Sequence, residues 1–406
     1  MAAMCVSGAQ PRSWTDEEIF AYHNFDQRLQ KETYHSTREE FVNNGNQFVH
    51  HGIGAVLDIA AADIATQAER YGAESLAIRQ SSSDSGEFLR VDREPCTMAI
   101  AAVGQICSTA SMKTNLEQCV RLVAKAAVGG AKILFLPEAS DYIAPTAAES
   151  LRLAQPQSTS PFVKGLREAA KNYSVAIHVG VHQPLPTTQP TPKLANRALY
   201  ITPDGEIQDS ASYDKLHVFD YGSLRESSTV EPGSTLTAPF DSPVGRIGSL
   251  ICFDLRFAEP AILLAQPGKH SRWYGRAAQI LTYPSAFTVR TGQAHWETLL
   301  RARAIETQSW VVASAQVGRH NDKRVSYGRS LVVDPWGEVR IRLSGVSGTE
   351  EEGDEGFGCG NAAAAGNGTM EEIGFVDLDL EQVERVRRMM PLRRRSVYRG
   401  ITEEKA

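Results

Sequence analysis

Short apolar runs separated by turn residues make up most of the chain after about residue 97. Met98–Gln105 is one such run, Asn115–Ala127 has the spacing of an amphipathic helix, and Ile133–Leu136 is a second apolar run after two glycines. Short continuous apolar runs are typical of buried strands, whereas a period near 3.6 residues indicates a helix. The order strand, helix, strand predicts a β-α-β unit and an α/β fold.

Further apolar runs extend this pattern. Two turn sequences, Pro203-Asp204-Gly205 and Asp334-Pro335-Trp336-Gly337, combine a fixed proline φ with a glycine that tolerates positive φ, as tight turns require. Because the runs are short and continuously apolar, they indicate sheets that are covered on at least one face. The predicted strands are Val175–Val181, Ala198–Ile201, Ile247–Ile251, Gln279–Thr282, Trp310–Ala315 and Ser330–Val333.

Three segments fall outside the α/β pattern. Residues 1–96 are polar and irregular, with helical spacing only at Ile53–Tyr71, and they predict a poorly ordered or partly helical amino-terminal extension. A stretch rich in Gly, Glu and Ala at about 345–369 has too few apolar residues to order itself and predicts a surface insertion. The main domain is therefore expected to span residues 97–400, followed by a tail at 401–406.

The composition excludes several classes of protein. Hydrophobic residues make up 42% and charged residues 22% of the 406 residues, which is typical of a globular chain. A net charge of −6 argues against nucleic acid as a partner. No apolar run approaches the roughly 20 residues of a membrane helix. The six cysteines include no CxxC pair and therefore give little support for a zinc site. The sequence shows no targeting signal, which predicts a cytoplasmic protein.

Three reactive side chains follow predicted strands or turns. Glu138 comes after the strand Ile133–Leu136, and burial is expected to raise its pKa toward that of a general base. Cys252 ends an apolar strand where helical texture begins, a position that exposes a nucleophile and favours its thiolate. Lys215 supplies a cation that is able to stabilise an oxyanion. These three residues form a candidate catalytic set.

Each of these residues taken alone also has a structural explanation. Glu138 is placed where it would cap the next helix, Cys252 is typical of a buried structural thiol, and Lys215 of a solvated surface residue. His178 and His182 lie four residues apart on one strand, but the sequence shows no further ligand beside them, so they are a weak metal site.

Taken together, the three residues and their sequence context resemble the nitrilase, or carbon–nitrogen hydrolase, superfamily. Its three signature blocks match LPEAS, YDKLH and SLICFDLRF, and the resemblance covers roughly residues 97–400. It implies a catalytic triad of Glu138, Lys215 and Cys252, with Glu226 as a second glutamate that positions the lysine and the substrate. It also implies a four-layer αββα sandwich, no metal or organic cofactor, and a homodimer. The basic tail Arg385–Arg399 is then expected to lie on the surface or to contact a subunit rather than to bind RNA.

Within the superfamily the sequence is most similar to the deaminated glutathione amidases. The resemblance rests on LPEASDYIA, on the run from PSAFTVRTGQAHWE to AQVGRH, and on YGRSLVVDPWGEV. It implies hydrolysis of a small-molecule amide through a cysteine thioester to a carboxylate and ammonia. The alternatives are an ω-amidase that acts on α-ketoglutaramate, a carbamoylase-like relative, and a catalytically idle binding module. Ala139 and AQVGRH argue against the ω-amidase.

Two departures from the family pattern concern the substrate pocket. The segment Gln266–Gly275 is longer than the usual link, and Arg329 stands where relatives commonly have His. A substrate with two carboxylates needs cationic anchors, which arginine supplies through its planar guanidinium. The candidate substrate-binding residues are Tyr142, Arg225, Phe253, Arg256, Tyr283, Phe287, Arg290 and Trp296.

Overall fold

The predicted strands form two six-stranded sheets. The computed structural model describes residues 99–186, 192–222, 224–346 and 371–393. The predicted amino-terminal extension, nearly all of the insertion at 345–369 and the tail at 401–406 lie outside these residues. The strands are β1 (Ile100–Gln105), β2 (Ile133–Phe135), β3 (Ala176–Pro184), β4 (Leu194–Ile201), β5 (Tyr213–Asp214), β6 (Asp220–Tyr221), β7 (Leu224–Arg225), β8 (Phe240–Ser242), β9 (Gly245–Ser249), β10 (Ile280–Thr282), β11 (Trp310–Ala313), β12 (Val317–Asn321), β13 (Arg324–Tyr327), β14 (Leu331–Val333), β15 (Val339–Arg342) and β16 (Glu372–Asp377).

Helices flank the sheets and begin at residues that cap them. Ser111 accepts a hydrogen bond from the backbone of Thr114, and Thr288 does the same for Thr291, which satisfies amides that would otherwise lack partners. The helices are α1 (Met112–Val128), α2 (Ala147–Leu153), α3 (Pro161–Tyr173), α4 (Ala258–Ala265), α5 (Val289–Thr307) and α6 (Leu380–Met389), with single 3₁₀ turns at Asp209–Ala211, Glu226–Ser228 and Cys252–Arg256.

Each sheet has a parallel centre and antiparallel edges. The first sheet has the order β16-β1-β2-β3-β4-β5, with β1, β2 and β3 parallel. The second has the order β15-β14-β11-β10-β9-β8, with β9, β10 and β11 parallel. Two parallel strands with a helix between them require a crossover, and α1 supplies it between β1 and β2. The predicted β-α-β unit is thereby confirmed.

Alternating side chains along the central strands divide the core into three parts. Ala102 and Leu134 face the cluster formed with α1 and α3, whereas Val103 and Phe135 face the second sheet. In the second sheet Val311 packs against α4 and α5. Since successive strand residues point to opposite faces, this pattern requires each sheet to be covered on both sides. The result is a helix–sheet–sheet–helix sandwich, which confirms the predicted four-layer fold.

Both predicted turns occur at the expected places. Gly205 has φ +80° after β4, and Gly337 has φ +90° between the antiparallel strands β14 and β15. Two predicted strands end two residues earlier than expected. The predicted strand Trp310–Ala315 ends at Ala313. Residues Ile247–Ile251 form a strand only as far as Ser249, because the backbone amide of Ile251 donates to the carboxylate of Asp254. That departure from the sheet begins the turn that carries Cys252.

Candidate active site

Glu138 lies on the loop that follows β2, at the carboxyl end of a parallel strand. It is buried, and the next residue, Ala139, has φ +54°, a left-handed conformation that turns the chain sharply away from the sheet. The carbonyl oxygen of Glu138 accepts a hydrogen bond from Nε2 of Gln316 at 3.0 Å. The backbone on both sides of the carboxylate is therefore held in place.

Gly180 on β3 allows the loop to pass directly over the sheet. A Cβ atom at this position would lie 2.6 Å from the Cα of Glu138 and 3.0 Å from the carbonyl oxygen of Pro137. Both neighbours are backbone atoms, so they have little freedom to move aside. The amide of Gly180 also donates to that Pro137 oxygen at 3.0 Å. Glycine is thus required here by close approach rather than by its φ angle.

We expect Gly180→Ala to displace Glu138 and lower kcat by roughly 100-fold, since displacements of about 1 Å at a reacting group have effects of that size. The free energy of unfolding should fall by about 1–3 kcal/mol because of overpacking. Steady-state kinetics and urea unfolding measure the two effects. Val181→Ala is the control, because Val181 points into the helix-side cluster and its loss should reduce stability while kcat is retained. Unchanged kcat in Gly180→Ala would contradict this account.

Lys215 is a buried cation that contacts both candidate glutamates. Its Nζ lies 3.0 Å from Oε1 of Glu138 and 2.8 Å from Oε2 of Glu226. The residue directly follows β5, and its backbone amide donates to the carbonyl oxygen of Asn196 on the neighbouring strand β4 at 2.9 Å. Because strand pairing fixes the backbone, the long side chain enters the site from a rigid support.

Asn196 links the two glutamates from the other side. Its Nδ2 donates to Oε1 of Glu138 at 2.7 Å and to Oε1 of Glu226 at 3.0 Å. Glu226, on the 3₁₀ turn after β7, also accepts from the backbone amide of Phe219 at 2.6 Å. Two buried carboxylates repel each other, and the shared amide and the shared ammonium of Lys215 offset that repulsion. These four residues form a single hydrogen-bonded cluster.

Cys252 stands at a strained turn after β9. Its φ is +46°, which is uncommon for a residue with a Cβ atom, and its backbone amide donates to the carbonyl oxygen of Pro284 at 3.0 Å. The side chain is 8% exposed, and the carboxylate of Glu138 lies close enough to its thiol to raise the pKa of that thiol. A 3₁₀ turn begins at Cys252, as the sequence predicts. The thiol and its candidate base are therefore neighbours.

Asp254 connects the turn of Cys252 to the loop of Lys215. Its fully buried carboxylate accepts from the amide of Ile251 at 3.0 Å and from the hydroxyl of Tyr213 at 2.7 Å. It also accepts from the amide of His217 at 3.0 Å. Ile251 precedes the nucleophile, while Tyr213 and His217 flank Lys215 on both sides. One carboxylate thus fixes the distance between the thiol and the ammonium.

The ionisation states follow from burial and from these contacts. Burial acts to raise the pKa of Glu138, but the charge of Lys215 and hydrogen bonds from Lys215, Cys252 and Asn196 together lower it below its ordinary value. The predicted upward shift is therefore wrong. Burial acts to lower the pKa of Lys215, but Glu138 and Glu226 raise it well above 10.5. Both groups are charged near neutral pH.

The pKa of the Cys252 thiol is shifted toward the neutral form, unlike those of Glu138 and Lys215. Burial and the charge of Glu138 raise the pKa of its thiol well above 9.0, although Lys215 acts against this shift. The expectation that the turn favours a thiolate is wrong for the free site, because the neighbouring carboxylate and the lack of solvent outweigh the local dipole. The resting site therefore combines a neutral thiol with an ionised carboxylate that is able to remove its proton.

A sequence model described as "Carbon-nitrogen hydrolase" matches residues 100–388, which span both sheets and all of these side chains. The chain belongs to the carbon–nitrogen hydrolase family. It is accordingly a hydrolase that acts on carbon–nitrogen bonds of amides.

Individual carbon–nitrogen hydrolases are similar to this chain over long stretches of sequence. A "Probable hydrolase nit2" of Schizosaccharomyces pombe is 42% identical over 305 residues, covering 74% of this chain and 98% of the relative. The human "Deaminated glutathione amidase" is 41% identical over 262 residues, covering 63% of this chain and 76% of the relative. The crystal structure of Saccharomyces cerevisiae Nit3, a member of branch 10 of the nitrilase superfamily, matches with a TM-score of 0.58 and 25% identity, covering 74% of this chain and 97% of that one.

The three arginines predicted to bind substrate in this hydrolase differ in their surroundings. Arg225 directly precedes Glu226, but its side chain is 65% exposed and lies 3.9 Å from Asp220. Arg256 lies over the ring of Phe253 and contacts His295 at 3.1 Å, so its guanidinium is already engaged. Arg290 is exposed on the first turn of α5. Their role as substrate anchors stays a prediction.

The predicted aromatic residues divide into core and near-site groups. Tyr283 and Trp296 are fully buried in the cluster beneath the second sheet, where the indole of Trp296 donates to the carbonyl oxygen of Arg329 at 2.7 Å. Phe287 packs against Trp296 in the same cluster. Tyr142 is also fully buried, stacked on His182. Phe253 is only partly buried and follows Cys252, so it is the aromatic candidate with surface left for a ligand.

Several residues of the site carry no signal in the sequence alone. Asn196 is separated from both glutamates by tens of residues, as is Asp254 from Tyr213 and His217, and their polar character is ordinary for loops and strand edges. Gln316 lies within AQVGRH, but no spacing rule connects it to Glu138. A partial signal exists for His182, whose position four residues after His178 marks it as facing the same side of β3.

The described ranges contain neither a metal-binding cluster nor a membrane-spanning helix. No group of three or more His, Cys, Asp or Glu side chains there is arranged to hold a metal ion. His178 instead lies between the sheets, where Nε2 contacts the hydroxyl of Ser249 at 2.9 Å and burial lowers the pKa of the imidazole to about 3. No helix of the described residues has the length and apolar character needed to cross a bilayer.

Proposed function

We propose that this hydrolase cleaves the amide of deaminated glutathione through a thioester on Cys252. The observation that carries the proposal is the position of Glu138, whose carboxylate lies 3.0 Å from the ammonium of Lys215 and close enough to Cys252 to influence the pKa of its thiol. A base, a cation and a nucleophile gathered at one site are what acyl transfer from an amide requires. The similarity to the human deaminated glutathione amidase supports the choice of substrate.

The chemistry begins with proton transfer coupled to attack. The pKa of Glu138 lies below that of the thiol, so a free thiolate is unfavourable, and proton transfer must accompany formation of the carbon–sulfur bond. Lys215 stabilises the negative charge that develops on the carbonyl oxygen. Protonated Glu138 then returns the proton to the leaving nitrogen as the carbon–nitrogen bond breaks, which yields the thioester and a free amine.

The second half of the reaction uses the same groups again. Glu138 removes a proton from water, the resulting oxygen attacks the thioester carbonyl, and Lys215 again stabilises the oxyanion. The carbon–sulfur bond breaks, the thiolate of Cys252 recovers the proton, and the product leaves as a carboxylate. Glu226 and Asn196 do not react in this scheme. They hold Lys215 and Glu138 in position.

The expected leaving group, ammonia, does not fit deaminated glutathione. Glutathione contains only secondary amides, so hydrolysis of its deaminated form releases the amine of a peptide rather than ammonia. Ammonia is expected only from a primary amide such as α-ketoglutaramate. The two substrates share the same acyl half and would form the same thioester. Discrimination between an amidase of deaminated glutathione and an ω-amidase therefore depends on the leaving-group side of the pocket.

The proposal predicts a ranking of substrates for the full-length protein. We expect kcat/KM to be at least about tenfold higher for deaminated glutathione than for α-ketoglutaramate, a difference of about 1.4 kcal/mol in transition-state binding. Release of the shared keto acid measures both reactions in one assay, and ammonia release measures N-carbamoyl-β-alanine. A preference for α-ketoglutaramate would identify an ω-amidase, and turnover of only the carbamoyl substrate a carbamoylase. The absence of turnover on all three would favour a binding module.

We further propose that the protein acts as a homodimer. This proposal rests on the family resemblance. A solution mass of twice 44.4 kDa by light scattering supports the dimer, and a mass of 44.4 kDa contradicts it.

A further inference from the structure

His182 lies beside the catalytic carboxylates, although the mechanism above does not use it. In the antiparallel pairing of β3 with β4, His182 is directly opposite Asn196. Side chains of directly opposed residues share one face of a sheet and lie about 5 Å apart at Cβ. Because Asn196 donates to both Glu138 and Glu226, the imidazole of His182 lies at the edge of this cluster.

The orientation of the imidazole is fixed from two sides. Nδ1 lies 2.9 Å from Oδ1 of Asp141, whose other oxygen accepts from the backbone amide of His182 at 2.9 Å. The ring stacks on Tyr142 with centroids 4.3 Å apart. Nε2 has no hydrogen-bond partner in the described part of the chain, and the side chain is 14% exposed. The free ring nitrogen is therefore held rigidly and remains available to a ligand.

The surrounding charges favour the protonated form of the imidazole. Burial acts to lower the pKa of His182, but Asp141, Glu138 and Glu226 together raise it above its ordinary value. Meanwhile Glu138, Glu226 and Lys215 contribute two negative charges and one positive charge. An anionic substrate that approaches this centre is repelled unless a further cation faces it.

We propose that His182 is a substrate-binding residue whose Nε2–H donates a hydrogen bond to a carboxylate of an anionic amide substrate. Asp141 is the positioning residue that orients the ring. This inference rests on the proposed amidase function for the identity of the substrate, but the recognition of a carboxylate beside Cys252 does not depend on it. None of the three arginines considered as anchors combines a free donor with a rigid support in the way that His182 does.

The first experiment needs no substrate. Iodoacetate and iodoacetamide alkylate thiols by the same displacement of iodide, but only iodoacetate carries a carboxylate. We expect the rate of alkylation of Cys252 by iodoacetate, divided by the rate for iodoacetamide, to fall by roughly tenfold or more in His182→Asn and by a smaller factor in His182→Gln, since the charged hydrogen bond is lost in both. The modified peptide that contains Cys252 is quantified by mass spectrometry. Lys164→Gln, which removes an exposed cation on α3, is the control and should keep the wild-type ratio.

The two His182 variants show which ring nitrogen makes the contact, because each retains a donor near only one of them. Asparagine retains a donor near the position of Nδ1, toward Asp141, while glutamine retains one near the position of Nε2. A larger loss for His182→Asn than for His182→Gln supports a contact made by Nε2. Equal slowing of both reagents, which leaves the ratio unchanged, would show a purely structural role and overturn the proposal.

The second experiment uses substrates that differ in carboxylates. Deaminated glutathione carries one on each side of the scissile amide, α-ketoglutaramate carries one on the acyl side, and butyramide carries none. In the His182 variants, a rise in KM for both anionic substrates but not for butyramide assigns the contact to the acyl side. A rise in KM for deaminated glutathione alone assigns it to the leaving-group side. An equal loss of activity on all three substrates overturns the proposal. If the wild-type protein hydrolyses none of them, the function proposed above fails, whereas the alkylation ratio still decides the role of His182.

Discussion

Replacing Cys252 by alanine is expected to abolish amide hydrolysis, with a fall in kcat of at least about 10⁴-fold, because no other group of the site is able to form the thioester. The fold should persist, since alanine keeps the Cβ atom and removes one small side-chain atom from a position that is 8% exposed. Release of the keto acid product measures kcat. Intact-protein mass spectrometry of the wild-type enzyme during turnover should show the acyl adduct, which the variant should lack.

The matched control is Cys119→Ala. Cys119 is also a buried free thiol, but it lies on α1 in the cluster between the helices and the first sheet. Its removal leaves a small cavity and should reduce stability by about 1 kcal/mol, while kcat is retained. If Cys252→Ala kept wild-type turnover, the thioester mechanism would be wrong and water would have to attack the amide directly.

The fold was largely predictable because its determinants are local. Short apolar runs such as Ile133–Leu136 are buried on both faces, so their texture is continuous and easily distinguished from the amphipathic spacing of Asn115–Ala127. Turn residues also act locally, as Gly337 does in the hairpin of β14 and β15. The arrangement of the layers then follows from the parallel crossovers, which require helices on the faces of the sheets.

The positions of the triad residues were predictable, but their ionisation states were not. Glu138 follows a strand, and burial alone predicts a raised pKa, which is the direction inferred from the sequence. The opposite shift results from Lys215 and Asn196, which lie 77 and 58 residues further along the chain. Such contacts depend on the register of paired strands and on side-chain rotamers. No periodicity or motif in one sequence contains that information.

The contacts of the positioning residues could not be predicted from the sequence either. Asp254 has the appearance of an ordinary polar residue after a strand, yet it joins two loops through four hydrogen bonds. Asp141 and His182 form a pair only because β3 returns alongside the loop that follows β2. The spacing of His178 and His182 suggests only a weak metal site, and it carries no signal of a carboxylate partner 41 residues away.

Replacing Lys215 by methionine is expected to lower kcat by about 10³-fold or more and to destabilise the fold at neutral pH. The loss of activity follows from the missing charge at the oxyanion. The loss of stability follows because Glu138 and Glu226 remain as carboxylates without their cation, and breaking a buried pair in this way typically costs about 3–5 kcal/mol. Urea unfolding at pH 8 measures that cost.

The loss of stability in Lys215→Met should depend on pH, and the direction follows from the two shifted pKa values. In the wild type, the lowered pKa of Glu138 contributes stability above about pH 4.5, which is lost only as the pH falls through the lower folded-state pKa. The raised pKa of Lys215 contributes stability that is lost only well above pH 10.5. Without the ammonium, burial should raise the pKa of Glu138 above 4.5. The variant should therefore regain stability relative to the wild type as the pH falls from 8 toward 5.

Lys125→Met provides the matched comparison for this effect. Lys125 also contacts a carboxylate, that of Glu371 at 2.9 Å, but its side chain is 52% exposed on α1. Solvent screens such a pair, so its loss should change the free energy of unfolding by less than about 1 kcal/mol, with little dependence on pH. If Lys215→Met showed an equally small and pH-independent loss, the ammonium would not be what keeps Glu138 ionised. The base in the proposed mechanism would then need another source for its low pKa.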